Sequence, residues 1–480
     1  MSALVANMHT SRASALENLA THTAAFDKTT PAGSLACQKD SFLRSRTGTL
    51  LASSMYKEEA PKSKGKKKKK GADTANAGDN DTKVLMVCDD SVFFPAGGGQ
   101  PCDKGMVTID GSVSLNIIDV ENVNGKCVLT ASTADNGFDP SVLKVESKVE
   151  MEIDWMKRFD HMTQHSGQHL ISAVAMEDEF KYDTMSWSLQ EGLTSYIDFA
   201  VDPEKPLEEH IVKFREIESA CNNKIRQNLP MTPMWMFPDD PEFQKKVRSR
   251  LLPKGLTGLL RLVEIEGVDC NTCCGTHVPS LAYLQMVKFF KFSKIKADTL
   301  RVSYAVGERL TNILSESFDR QSKITSILTV PEGGHVETVN KLIEEKKNSE
   351  REIKLLNQKL VEVQVNSIVE QGKVDKVVFV DLGISDKNFM SLLAAAVADK
   401  GGDSMLVCLI EGEGDSGSFF IVGGEKYMSV GDCGKKAAEF LGGKGGGKGS
   451  KFQGKGGKIR SGKDECVKFL LEHVNSINNN

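Results

Sequence analysis

The chain has 480 residues, with 61 Lys+Arg against 65 Asp+Glu and a formal net charge of −4. That length predicts two or three domains with ample core, and the near-balanced charge excludes nucleic-acid binding through overall basicity, leaving it to local clusters. The 11 cysteines are scattered apart from Cys270, Cys273 and Cys274, which argues against a disulfide framework and for free thiols and one metal site in a reducing, cytoplasmic setting; no apolar run nears the roughly 18 residues of a membrane span, so no membrane partner is expected.

Residues 1–34 are rich in Ala, Ser and Thr and lack the apolar centre of a secretory signal; they read as a disordered extension with weak transit-peptide character from Arg12 and Lys28. A β-rich, barrel-like domain is expected over 35–153. It opens with one or two strands in 35–55 and is broken by a disordered loop at 57–81, where Lys62, Lys64 and Lys66 through Lys70 repel one another. That block reads as a solvated linker, a phosphate-attracting segment or an import signal. A strand at 83–88 then runs into Gly97-Gly98-Gly99-Gln100-Pro101-Cys102-Asp103, a glycine loop whose backbone can approach a ligand closely. It is no P-loop, because no Gly-Lys-Ser/Thr follows. Segments 106–131 and 142–154 alternate apolar and polar residues between Asp-Gly and Asn-Gly pairs, as hairpin strands do.

From Trp155 the period changes. His161, His165 and His169 fall four apart, and Leu170, Ile171 and Val174 continue a helical stripe. Gly167 inside that helix costs about 1 kcal/mol relative to Ala. A strand at 187–199, a helix at 206–228, a Pro-rich crossing at 230–241 and a strand at 259–265 lead to Cys273-Cys274-Gly275-Thr276-His277. A strand at 285–292 and the stretch 299–310 close an α+β domain over 154–330. Residues 331–371 form a charged helical arm. Val339, Leu342, Ile353, Leu356, Leu360 and Val363 make a seam that Lys346 and Ser349 interrupt, which allows a monomer or a weak dimer through 332–370. Residues 372–480 read as a small α/β module, whose Gly/Lys-rich stretch 442–458 is a flexible cationic loop suited to RNA backbone contact.

An H-x3-H pair sets two imidazoles one helical turn apart on one face, and a C-x3-H pair adds a thiolate and a third imidazole. Two His, one Cys and one His suit tetrahedral zinc. The residues between His165 and His169 are Ser, Gly and Gln, so the glutamate base of an H-E-x-x-H protease is absent. His161 is the rival imidazole, read as a packed helix residue. Cys270 and Cys274 are rivals to Cys273, and Cys274 is expected to pack. Asp154, Asp160 and Asp269 are the expected partners that orient the imidazoles.

The runs Asp154-Trp-Met-Lys-Arg158, His165-Ser-Gly-Gln-His169, Arg261-Leu-Val-Glu-Ile-Glu-Gly-Val-Asp269 and Cys273-Cys-Gly-Thr-His277 resemble the editing domain of alanyl-tRNA synthetase. They are still more similar to its free-standing AlaX-type relatives, whose Gly-Gly-Gln signature matches Gly98-Gly99-Gln100. The resemblance spans about 35–475 and includes the Gly/Lys-rich tail, similar to the synthetase's C-terminal tRNA-binding module. It implies a trans-editing hydrolase acting on serine, and in some members glycine, esterified to alanine tRNA. The implied metal ligands are His165, His169, Cys273 and His277, holding one Zn2+ per chain. The implied substrate residues are Gly97, Gly98, Gly99, Gln100 and Arg261, with Gln100 and Gln168 as candidate pocket residues; no side chain stands out as general base. The competing reading is a non-catalytic, zinc-stabilised tRNA-binding protein. A full synthetase is not expected, because these 480 residues contain no recognisable ATP-binding or aminoacylation module.

Overall fold

Alternation of apolar and polar residues with turn signals between them produces the first half of the fold. The computed structural model describes residues 8–9, 11–21, 27–57, 82–133, 138–247, 258–384, 387–401, 404–424, 427 and 430–478, so the Lys62–Lys70 block lies outside the described residues. The chain divides into two compact units, Met1–Arg320 and Gln321–Asn480. The barrel and the following α+β part lie together in the first unit.

In the first unit, strands Ser45–Lys57, Thr82–Cys88, Gly105–Ile109, Val113–Val123, Lys126–Ser132 and Lys148–Ile153 form an antiparallel barrel. The long first strand closes it. Ser45–Thr49 pairs with Lys148–Glu152, and after a register shift at Leu50/Ala52 the remainder pairs with Thr82–Cys88. A bulge of this kind bends one strand so that it serves both seams. The Asn124-Gly125 pair, with φ of 51° and 81°, makes the two-residue turn between Val123 and Lys126, as a type I′ hairpin demands.

Part of the 1–34 extension is ordered, contrary to expectation. Arg12–Ala20 is a helix capped by Ser11, and it buries Ala15 and Leu19 against Ala52, Tyr56, Leu85, Val87 and Val128 on the outside of the barrel. Those strand residues are apolar on the outer face, and a cover removes them from water. Similarly, the start of the 35–55 segment is not a strand but a one-turn helix, Ala36–Lys39.

Beyond the barrel, helices Trp155–Ala175 and Leu207–Arg226 pack on a four-stranded sheet. Its order is Val287–Lys296, Thr299–Val306, Ser195–Ala200, Thr184–Ser188. The expected strand at 187–199 is thus two strands. The Pro-rich crossing is also a strand, Met231–Met236, at the edge of a three-stranded sheet with Leu260–Ile265 and Asp269–Thr272, the position in a sheet that tolerates Pro233. Gly167 has a clear reason. A Cβ there would sit 2.5 Å from Val306 Cγ2, so the missing side chain lets the strand cross the helix at close range.

The second unit holds the long helix His335–Asp375 and a five-stranded sheet, ordered Val377–Asp381, Leu406–Glu413, Ser416–Gly423, Lys451–Gly456, Gly443–Lys448. Val361, Val365 and Ile368 of the helix pack on Val378, Phe389 and Leu393. Val339, Leu342, Ile353 and Leu356 are exposed. The Gly/Lys stretch is a hairpin rather than a flexible loop. Its glycines make the pairing close: a Cβ at Gly443, Gly445 or Gly447 would lie 2.0, 2.2 or 2.1 Å from a facing carbonyl oxygen.

One ion pair ties the first unit together. Arg158, at the start of the Trp155–Ala175 helix, pairs with Asp103 of the glycine loop, and both side chains have 0% exposure. Arg158 also donates to the carbonyls of Ser41 at 3.1 Å and Val92 at 2.6 Å, while Asp103 accepts from Phe94 N–H at 2.6 Å. Removing one member leaves the other as an unpaired buried charge. Arg158→Leu is therefore expected to cost about 3–5 kcal/mol in urea unfolding, and adding Asp103→Leu to recover part of that loss.

Candidate metal centre

The site assembles from two directions. The Trp155–Ala175 helix carries His165 and His169 on one face, and the turn after Asp269–Thr272 brings Cys273 and His277 to them. The four ligand atoms all lie within 4.8 Å of one another. Cys273 Sγ is 3.5 Å from His165 Nε2 and 3.3 Å from His277 Nε2. A tetrahedron with Zn–S of about 2.3 Å and Zn–N of about 2.0–2.1 Å has an S···N edge of about 3.5 Å. The donor set and its spacing fit zinc.

Glycine makes the approach feasible. A Cβ on Gly275 would fall 2.2 Å from His165 Cε1, so no other residue fits between the two ligand segments without displacement. The orienting partners differ from those expected. Asp154 instead caps the helix by accepting from Lys157 N–H at 3.2 Å, Asp160 pairs with Arg309, and Asp269 meets Asn271. Asp154 and Asp269 lie at element ends, and Asp160 is held by Arg309 within the helix. Gln100 and Ser166 take the role. Gln100 Oε1 is 2.7 Å from His165 Nδ1 and also accepts from Thr276 N–H at 3.1 Å, while its Nε2 donates to Thr276 Oγ1 at 2.8 Å. An atom that accepts from a backbone N–H is the amide oxygen, so His165 Nδ1 carries the proton and Nε2 is free to ligate. Ser166 Oγ is 3.1 Å from His277 Nδ1 and accepts from Val278 N–H at 3.1 Å.

Further supports come from residues the sequence did not mark. Gln38 Nε2 donates to the Cys274 carbonyl at 2.8 Å, and Ser41 Oγ to the His277 carbonyl at 2.6 Å. The short Ala36–Lys39 helix and the turn after it thus brace the ligand loop. Trp187 lies against His165, with centroids 4.8 Å apart and the rings tilted by 40°, and would be 2.7 Å from a Cβ on Gly99. Neither Gln38 nor Trp187 carries a periodic or spacing signal; only the contact identifies them.

Of the other expected residues, Arg261 is 5% exposed and donates to the carbonyls of Gln38 at 3.2 Å and Cys273 at 2.5 Å; it braces the loop and does not line the cleft. Gly97 and Gln100 close a turn on each other, at 3.1 and 3.0 Å. Cys270 is buried with Phe243 and Leu262, and His161 is buried outside the cluster. Cys274 does not pack: it is exposed, because its neighbour Cys273 turns toward the imidazoles. A cleft of about 670 Å³ opens beside the cluster, lined among others by Gly98, Gln168, His169, Ser172, Thr184, Trp187, Cys273 and Cys274.

Burial, then the neighbouring imidazoles and Arg261, hold His165 and His277 well below the usual imidazole range, and burial with Arg261 brings His169 down to about 4. Burial pushes the Cys273 thiol up to about 11. Near neutrality the metal-free set is therefore three neutral imidazoles and one protonated thiol. Binding one divalent ion at pH 7 is expected to release about one proton, from Cys273, measurable by calorimetry in buffers of different protonation enthalpy. Because the native imidazoles resist protonation while unfolded ones accept it near 6.5, the unfolded chain binds more protons as pH falls. The metal-free protein should lose stability from about pH 6.5 toward 4, seen as a falling urea midpoint.

A family model described as the threonyl and alanyl tRNA synthetase second additional domain matches residues 260–303, which include Cys273 and His277. A mouse protein named alanyl-tRNA editing protein Aarsd1 is 33% identical over 444 residues, 92% of this chain and 98% of its own length. A Danio rerio protein of the same name is 34% identical over 77% of this chain and 84% of its own. An alanine–tRNA ligase from Pyrococcus abyssi is 27% identical over 77% of this chain but only 39% of its own length. With the identity and near-complete coverage of the mouse protein, the chain belongs to the alanyl-tRNA editing protein family.

Proposed function

We propose that this chain is a trans-editing aminoacyl-tRNA deacylase that removes serine from mischarged alanine tRNA, with glycine the second ester to be tested, and with one zinc ion held by His165, His169, Cys273 and His277. The observation that carries the reading is that His169 and Cys273 belong both to the four-donor cluster and to the wall of the cleft. His165 and His277 are buried behind that wall, and a substrate end entering the cleft meets the half-buried His169 and Cys273 first.

An aminoacyl ester is already reactive, so the protein has to orient it, admit one water and stabilise the oxyanion. A bound zinc ion supplies positive charge for the polar end of the substrate. In the glycine loop, the Gly97 N–H is taken by the Gln100 carbonyl, and Gly98 is the loop residue that lines the cleft; its backbone is the donor available to an oxyanion. On the opposite wall Gln168 Nε2 donates to Ser172 Oγ at 2.9 Å, and the Thr184 hydroxyl meets the same oxygen at 2.8 Å. These groups offer a serine hydroxyl a polar partner that alanine cannot use. A mismatch of that kind supports discrimination on the order of 10⁴-fold.

The hairpin of the second unit supports the RNA side. Lys444 stands directly across from Lys455, and Lys448 across from Lys451 in the backbone register. Like charges placed opposite one another cost stability in a sheet, and phosphates relieve that repulsion on binding. Lys444→Gln combined with Lys455→Gln is expected to weaken tRNA binding and take about two units from the slope of log K against log salt, read by filter binding across KCl.

Incubating the zinc-loaded chain with Ser-, Gly- and Ala-charged alanine tRNA tests the reaction. Serine ester loss far above buffer hydrolysis, with the alanine ester spared, is expected, and His169→Ala removes the gain. Serine release no faster than in buffer, with tRNA still bound, would leave the zinc-stabilised binding protein, which a shell of four protein ligands favours.

A further inference from the structure

The edge strand Val287–Lys296 is treated differently along its two halves. Toward its start the edge is closed by side chains of the Leu207–Arg226 helix. Asn222 accepts from Val287 N–H and donates to its carbonyl, both at 2.9 Å. Glu218 accepts from Phe289 N–H at 2.6 Å, and Arg215 donates to the Phe289 carbonyl at 3.0 Å. Glu218 also holds Lys288, at 2.7 Å. From Phe290 to Lys296 none of the described residues covers the edge in this way. That open half carries Lys291, Lys294 and Lys296, all exposed, with Phe290 at 37% and Ile295 at 48% exposure, and no acidic residue occurs within it. None of the three lysines has an ion-pair partner among the described residues.

Register ties this open half to the cleft. Lys294 pairs with Leu300, Leu300 with Phe199, and Phe199 with Thr184. Thr184 lines the cleft. Lys294 and Thr184 are therefore the two ends of one cross-strand row, three inter-strand spacings or about 14 Å apart. The covered half of the edge, where Phe289 pairs with Tyr304 and Tyr304 with Ser195, lies at the other end of the sheet.

We infer that the open half of this edge, Phe290 to Lys296, is the docking surface for the phosphate backbone of the acceptor stem whose charged 3′ end occupies the cleft. The inference rests on the deacylase reading for the identity of that 3′ end. Three unpaired lysines on an extended backbone match a run of phosphates, and phosphate neutralisation with counterion release is the dominant, sequence-independent part of such binding. Contacts of this class position the nucleic acid without reading its bases, which is what a site acting on an ester at the terminus requires. Lysines also guard exposed edges against pairing with another strand. That role alone does not account for the exposed Phe290 beside Lys291 and the exposed Ile295 between Lys294 and Lys296, which a guarded edge would avoid and which give sugar and base surfaces something apolar to rest on. A second copy of the chain is disfavoured as the occupant, because its own edge carries the same charge.

The test is a full-length triple variant, Lys291→Gln, Lys294→Gln and Lys296→Gln, with an acceptor-stem minihelix RNA bearing a single-stranded 3′ end as the probe. Fluorescence anisotropy across KCl should show weaker binding and a salt slope lowered by about two to three units, and KM for Ser-charged tRNA should rise. A variant of two ion-paired surface lysines of the first unit, Lys213→Gln with Lys245→Gln, serves as comparison, and its minihelix slope should stay at the wild-type value. An unchanged slope and KM in the triple variant overturn the inference. So does an unchanged slope accompanied by self-association on gel filtration, which would make the lysines edge guards. If the wild type binds the minihelix through these lysines but releases no serine, the docking surface stands and the deacylase reading fails.

Discussion

The first unit depends on one buried ion pair. Arg158 and Asp103 have no exposure, so neither charge has water to fall back on, and each must satisfy its remaining hydrogen-bonding capacity within the protein. They do so by gathering backbone from several places: the carbonyls of Ser41 and Val92 on the arginine side and the amide of Phe94 on the aspartate side. Those groups belong to the turn that braces the ligand loop and to the entry of the glycine loop. Asp103 follows Gln100 by three residues and Arg158 precedes His165 by seven. Pinning the pair sets the distance between the amide that orients His165 and the helix that carries it.

The four candidate metal ligands are held the same way, through groups one step removed. Gln100 fixes a tautomer, Ser166 holds a second imidazole, Gln38, Ser41 and Arg261 grip the carbonyls of Cys274, His277 and Cys273, and Gly275 leaves room for the His165 ring. The cationic Arg261 beside the cluster depresses the imidazoles further and so favours their neutral, ligating form. A donor set this preorganised trades stability in acid for readiness to bind at neutral pH.

Two basic surfaces of the chain are built on different principles. In the second unit, alternating glycines bring two backbones together and leave lysines facing lysines. In the first, an edge strand is sealed where a helix can supply hydrogen bonds and left open and basic where its register meets the cleft. No helix of the described residues is long and apolar enough to cross a membrane. The chemistry of both surfaces is that of a polyanion partner.

The sequence by itself determined the donors and the local periods. Histidines four apart on a helical stripe, a C-x3-H step and Asn-Gly turns follow from geometry within a few residues, and the structure brings His165, His169, Cys273 and His277 into one cluster. What only the tertiary structure decided are matters of contact between distant segments. Gln100 braces a candidate ligand and does not line the cleft, Arg261 grips carbonyls, Asp154 caps a helix, Asp160 pairs with Arg309 and Asp269 meets Asn271. The glycines at 167 and 275 are explained by Val306 and His165, residues 139 positions later and 110 earlier in the chain. The Gly/Lys stretch looked structureless because glycine lacks strand propensity, yet close backbone approach made it a hairpin. Periodicity reports which face of an element is buried, but not what waits on the other side of the interface. That is why the ligands were readable and their supports were not.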